Sequence, residues 1–289
     1  MPDFSIHPET TVGPVYLTVS NLKRSQRFYT EVLGFKPLDP HDHTLTLTAD
    51  GSTPLLELNE SRLAPLRPPH TTGLYHFAVL VPGRLDLARS LWRIAELRCP
   101  IQGGTDHRVS EALYLADPDG NGIEIYADRP RGTWTFPNGE IHMESDPLDY
   151  ESILALVDDE NKAWEGLAPG TRIGHMHLNV ADLVTAEEFY HGVLGFDIMV
   201  RRSHGALFIS AGGYHHHLGL NIWNGAGAPP PPPDSLGLRY YSITLPNLAE
   251  LQKLAGRVQE AGIPSEEMDE GFLLRDPSHN SVLLTHRLT

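Results

Sequence analysis

Apolar and polar positions alternate over Val15-Tyr16-Leu17-Thr18-Val19, the period of a half-buried strand. After Asn21-Leu22 the spacing turns helical, with Phe28-Tyr29 and Val32-Leu33 at helical intervals, and Gly34 stops it before more strands. The same order returns from His177-Leu178-Asn179-Val180 through Phe189-Tyr190 and Val193-Leu194 to Gly195-Phe196, almost register for register. Two further segments, Gly73 to Val81 and Gly237 to Leu245, each open as a strand and resemble one another. They close alike, in Asp117-Pro118-Asp119-Gly120 before Gly122-Ile123-Glu124-Ile125-Tyr126, and in Asp276-Pro277-Ser278-His279 before Ser281-Val282-Leu283-Leu284. An Asp-Pro turn feeding a last strand is the physical reading of both. Four βαβββ modules are expected, at residues 12–60, 72–128, 172–224 and 236–287, and the fold class is α+β.

Between the second and third modules lies a polar stretch with Pro130, Pro137 and Pro147 and a short acidic helix near 148–165. It reads as a linker over 131–171, between an N-terminal domain at 1–130 and a C-terminal domain at 172–289. Pro229 to Pro233 reads as a stiff loop between modules three and four. Trp92 is assigned to the core, Trp134 to the linker and the Asp158-Asp159-Glu160 run to solvated surface.

Composition narrows the partners. A net charge of −15 over 289 residues disfavours nucleic acid and anionic membrane surfaces, leaving small molecules. The single cysteine, Cys99, leaves no intrachain disulfide framework and fits a reducing compartment. Neither a leader pattern after Met1 nor an apolar run of membrane-spanning length is seen, so a cytoplasmic location is expected. Gly103-Gly104 and Gly225-Ala226-Gly227 lack the strand-to-helix setting of a dinucleotide or phosphate loop.

Paired modules with a histidine opening one strand and a glutamate ending another resemble the vicinal oxygen chelate superfamily, which includes glyoxalases, bleomycin resistance proteins and extradiol dioxygenases. The resemblance covers nearly the whole chain and implies that modules pair into two cupped-sheet domains, with metal ligands on first and last strands. Carried over residue by residue, the first-strand position holds Pro14, His76, His175 and Tyr240. Glu57, Glu124 and Leu283 fall in or near the last-strand position of modules one, two and four, while module three has Leu218-Gly219-Leu220-Asn221 and no carboxylate. His76, His175 and Glu124 together are the two-histidine, one-carboxylate set of non-heme Fe(II) oxygenases. That set requires module two to face module three. If modules instead pair in chain order, Glu57 could join His76 and Glu124 in a one-histidine site.

Thr105-Asp106-His107, Leu113-Tyr114, Asp117-Pro118-Asp119-Gly120 and Glu124 resemble the extradiol ring-cleavage signature. His216-His217-Leu218-Gly219-Leu220 resembles the segment that opens with that family's acid-base histidine. The role is carried to His216, and a register slip of one would transfer it to His215 or His217. Along the whole chain the resemblance is strongest to the four-module bacterial catechol 2,3-dioxygenases. It departs from them in the site's place, because Tyr240 and Leu283 vacate module four.

The resemblance implies Fe(II), with Mn(II) as an alternative, held by His76, His175 and Glu124. Its substrates would be a catechol and O2 and its product a semialdehyde. His216 would act as acid or base, with Tyr114 and His107 steadying the ring oxygens. A homo-oligomer is compatible with this reading. Two rivals share the fold: a glyoxalase-type isomerase, which usually wants a second carboxylate, and a non-catalytic small-molecule-binding protein, which predicts eroded ligand positions.

Overall fold

The computed structural model describes residues 4–287, apart from the side chains of residues 39 and 40. Module one runs β1 (Thr11–Val19), α1 (Leu22–Arg27), β2 (Lys36–Pro40), β3 (Thr44–Thr48) and β4 (Leu56–Glu60). Module two runs β5 (Gly73–Leu80), α2 (Arg84–Glu96), β6 (Gly103–Asp106), β7 (Ser110–Ala116) and β8 (Gly122–Asp128). The connecting stretch holds β9 (Asp146–Pro147) and α3 (Tyr150–Leu154). Module three runs β10 (Arg172–Asn179), α4 (Leu183–Glu187), β11 (Asp197–Arg202), β12 (Ala206–Ser210) and β13 (Leu218–Asn221). Module four runs β14 (Gly237–Leu245), α5 (Leu248–Glu260), β15 (Ser265–Met268), β16 (Gly271–Arg275) and β17 (Ser281–His286). The expected βαβββ order is present in all four.

Three of the four module helices start on a side-chain cap. Asn21, Asp182 and Asn247 stand before α1, α4 and α5, and their side chains accept the backbone N–H of Arg24, Thr185 and Glu250, satisfying donors that a helix start leaves orphaned. Asn247→Ala should therefore lower stability by about 1 kcal/mol, read as a lower urea midpoint at unchanged slope. The helices α1 and α4 continue into π-helical turns, Phe28–Val32 and Glu188–Val193, which carry the repeated Phe-Tyr pairs.

The strands form an eight-stranded sheet ordered β15-β16-β17-β14-β1-β4-β3-β2 and a nine-stranded sheet ordered β11-β12-β13-β10-β5-β8-β7-β6-β9. Strands of modules one and four make the first sheet, and those of modules two and three, with β9 of the connecting stretch at its edge, make the second. Within a module the first and last strands pair in parallel, as β5 with β8, β10 with β13 and β14 with β17. That pairing brings a first-strand residue beside a last-strand residue.

By compactness the chain divides into two units: Met1–Tyr16 with Pro65–Tyr75 and Gly174–Thr289, and Leu17–Ala64 with His76–Ile173. Each holds one copy of a buried knot. In the second, Asp117 Oδ1 accepts the backbone N–H groups of Asp119 and Asn121, while Oδ2 accepts Asn121 Nδ2 and the Tyr29 hydroxyl, the latter at 3.0 Å. In the first, Asp276 does the same with Ser278, Asn280 and the Tyr190 hydroxyl, again at 3.0 Å. Burial raises both carboxyls above the usual range although these hydrogen bonds pull the other way, and burial also raises both phenols. The repeated Phe-Tyr and Asp-Pro motifs are thus two ends of one contact.

Three expectations need correction. Trp92 is 41% exposed rather than core, because the buried face of α2 is formed by Leu87, Ala88, Ser90, Leu91 and Ile94. The acidic helix is the five-residue α3, Tyr150–Leu154, and does not reach 165. Asp158 Oδ1 instead accepts the N–H groups of Glu160 and Asn161, a local alternative to helix that Asp and Asn side chains offer. The connecting stretch is more than a tether, since Trp134, Ile141, Met143, Leu148 and Ile153 are all buried. The Asp158-Asp159-Glu160 run is exposed, as expected.

Candidate metal centre

In module two, β5 and β8 run parallel with Ala78 opposite Glu124. His76 lies two residues before Ala78, hence on the same face, and its Nε2 comes within 3.0 Å of Glu124 Oε2. Both are buried, at 6% and 2% exposure. Across β7 and β8, Tyr114 stands directly opposite Glu124, with its ring centroid 5.6 Å from that of His76. Small residues, Ala78 and Ala112, pack with Leu80 and Tyr126 against Tyr114.

His107 lies in the turn between β6 and β7. Its Nε2 is 2.7 Å from the Tyr114 hydroxyl and its Nδ1 is 2.7 Å from the backbone carbonyl oxygen of Glu144. The joint spacing of His107 and Tyr114 in the sequence thus corresponds to one hydrogen-bonded pair. The Glu144 carbonyl carries no sequence signal, because any residue supplies one.

In module three, His175 on β10 is 2% exposed. Its ring lies 4.1 Å, centroid to centroid, from that of His216, and His216 Nδ1 is 2.7 Å from His215 Nδ1. Two neutral imidazoles meeting nitrogen to nitrogen must use opposite roles, one donating and one accepting. All three histidines precede β13 in the loop after Ser210, so the strand alternation expected to turn His215 and His217 away from His216 does not operate there. His217 Nδ1 accepts the backbone N–H of Ala211 at 3.1 Å, a structural tie within the loop. One neighbour escaped the sequence reading. His177, next along the same face of β10, packs against Tyr75, Phe208 and Trp223, and its only signal is its two-residue step from His175.

His76 and Glu124, 3.0 Å apart, are two members of the candidate ligand group, and His175 is the third, each offering one ligand-type atom. The donor chemistry fits a divalent transition ion: two imidazoles and one carboxylate. Burial argues the same way, since a carboxylate so far from water needs compensating positive charge. Glu57 lies on β4, in the other sheet. At the vacated positions of module four, Tyr240 stacks on Tyr16 at 4.1 Å, and the Tyr16 hydroxyl faces Glu270. Aromatic contact occupies that place. Among the described residues no helix is long and apolar enough to cross a membrane.

The model of the Glyoxalase/Bleomycin resistance protein/Dioxygenase superfamily matches residues 11–125 and 172–283. A catechol-2,3-dioxygenase of Bacillus subtilis (strain 168) is 49% identical over 276 residues, covering 94% of this chain and 96% of that protein. Among solved structures, a Bacillus subtilis protein solved as a candidate dioxygenase aligns with a TM-score of 0.66 at 12% identity, covering 98% of this chain and 86% of its own. Glyoxalase I of Zea mays aligns with a TM-score of 0.56 at 16% identity, covering 96% and 92%. At such identities the structural likeness is one of fold.

Proposed function

Because the chain belongs to the glyoxalase, bleomycin resistance protein and dioxygenase superfamily, we propose that it is an extradiol dioxygenase that opens catechol or a substituted catechol with O2. The observation that carries this reading is the 49% identity, over nearly the full length of both chains, to a catechol-2,3-dioxygenase. The enzyme uses a metal, and Fe(II) is the ion we assign, with Mn(II) the alternative that the same donors accept. His76, His175 and Glu124 would hold it. Bound there, the ion would supply an electronic link between an electron-rich ring and dioxygen, which do not react directly.

The remaining roles belong to the chain's own groups. Tyr114, opposite Glu124 and hydrogen-bonded to His107, would grip a catechol oxygen and orient the ring. His216, packed on His175, would carry the acid-base role during ring opening, its imidazole suited to either direction near neutral pH. A glyoxalase-type isomerase would want a second carboxylate, and the last strand of module three ends in Asn221 instead.

The test is anaerobic reconstitution with Fe(II), and separately with Mn(II), followed by catechol in air while the yellow semialdehyde and oxygen uptake are recorded. Yellow product with stoichiometric oxygen uptake, lost in His76→Ala, is expected. Metal binding without oxygen uptake across several catechols would overturn the dioxygenase reading in favour of the isomerase.

A further inference from the structure

We propose that Asn179 and Asn221 form a seat for a neutral hydroxyl group at the end of a short alkyl substituent on the substrate ring. The inference rests on the catechol reading above and deepens it by naming the class of ring. Alternation along β10 puts His175, His177 and Asn179 on one face of that strand. The parallel neighbour β13 sets Gly219 opposite His177 and Asn221 opposite Asn179. The two amides therefore stand side by side on strands about 4.8 Å apart. Both are buried, at 2% and 0% exposure.

Each amide is held at one end and unmet at the other. Asn221 Oδ1 accepts the Trp223 backbone N–H at 3.0 Å, and Asn179 Nδ2 donates to the Gly73 carbonyl oxygen at 3.5 Å. These bonds set which end of each side chain is left over. Among the described residues, Asn179 Oδ1 and Asn221 Nδ2 have no hydrogen-bond partner. Leaving a buried amide in that condition is unfavourable, and the need is specific: Oδ1 wants a donor and Nδ2 wants an acceptor. A hydroxyl supplies both from a single atom. A carboxylate would face Oδ1 with another acceptor, and an ammonium would face Nδ2 with another donor. The seat thus selects an alcohol over either charged group.

The approach to the seat is aromatic. A Cβ at Gly219 would come within 3.0 Å of the His177 ring, so glycine there lets that ring lie over β13, where it packs against Phe208, Tyr75 and Trp223. Tyr75 and Trp223 meet edge to face at 5.2 Å and are both exposed. Such rings give alkyl carbons an apolar surface to lie on. From His175 to Asn179 the extended chain covers about 13 Å, farther than a bare catechol ring spans. A short alkyl arm on the ring would carry a hydroxyl the rest of the way.

Two substrates that differ at one position test this: 4-(3-hydroxypropyl)catechol, and 4-butylcatechol, in which a methyl replaces the hydroxyl. With the Fe(II)-loaded protein, kcat/KM is expected to favour the alcohol by about tenfold, and the preference should vanish in Asn179→Leu and in Asn221→Leu. A wild type that treats the two alike, or prefers the butyl ring, would overturn the seat, as would a preference retained in both variants. A second measurement needs no turnover and no substitution. The Asn221 side-chain amide, assigned by triple-resonance NMR in the metal-free wild type, is titrated with 3-(4-hydroxyphenyl)propan-1-ol, which lacks the second ring hydroxyl. A downfield shift of the Nδ2 protons is expected, and 4-butylphenol should not produce it. Equal shifts from both probes, or none from either, would overturn the proposal. If the amide responds to the alcohol while no catechol is cleaved, the dioxygenase reading falls and the seat stands.

Discussion

Glu124→Ala is expected to leave the protein folded, unable to retain Fe(II) through gel filtration, and slower in catechol turnover by on the order of 10³-fold. Glu124 is the one carboxylate in the proposed ligand set. Its removal takes away the only anionic donor, so a divalent ion would face two neutral imidazoles and lose charge compensation as well as a bond. The fold should tolerate the change because the β5–β8 pairing is made by backbone groups on either side of Glu124. His76 loses its 3.0 Å partner, but a neutral imidazole needs no anion. Circular dichroism identical to wild type, iron content near zero and no yellow product is the expected triplet. Full iron content with full activity would remove Glu124 from the ligand set.

The second large effect is on stability. Asp117→Ala should cost about 3–5 kcal/mol, since it removes the acceptor of a buried cluster and leaves several donors unsatisfied at once. Two backbone N–H groups, an Asn121 amide and the Tyr29 hydroxyl all converge on Asp117. Tyr29→Phe removes one partner and leaves the others in place, so it should cost only about 1 kcal/mol. Asp276→Ala should repeat the aspartate loss in the other unit, while Tyr190→Phe should cost more than Tyr29→Phe, because the Tyr190 hydroxyl also accepts the buried Tyr241 hydroxyl. Denaturant midpoints for the four variants check this. Equal losses for the aspartate and tyrosine variants would mean that the phenol, rather than the turn's backbone donors, dominates the knot.

Most of the architecture was legible from the chain. The near-identical spacing of Phe28-Tyr29 and Phe189-Tyr190 before a glycine gave the modules, since helix and strand periods alternate there without ambiguity. Module four could be set aside because Tyr240 and Leu283 cannot bind a metal as imidazole and carboxylate do. Histidine clusters are harder. Gly213-Tyr214-His215-His216-His217 reads as the start of a strand, yet two consecutive glycines with positive φ, Gly212 and Gly213, keep the chain turning until β13 opens at Leu218. Harder still are contacts made by backbone atoms, such as the Glu144 carbonyl on His107, which no side-chain pattern announces. Trp92 was misjudged for a related reason: an aromatic in an amphipathic helix is expected on the apolar face, and the small Ala88 and the buried Ser90 belong to that face instead.

The two aspartate knots bear on how a duplicated chain ages. Module four lacks a histidine and a carboxylate at the ligand positions, yet Asp276 accepts Tyr190 as Asp117 accepts Tyr29. Chemistry needs only one working copy per chain, so the spare is free to drift. Folding has no spare, because each unit must close its own turn. A motif found in both halves of such a chain therefore reports on architecture, while residues without a counterpart in the repeat, such as Glu124, point to the reaction.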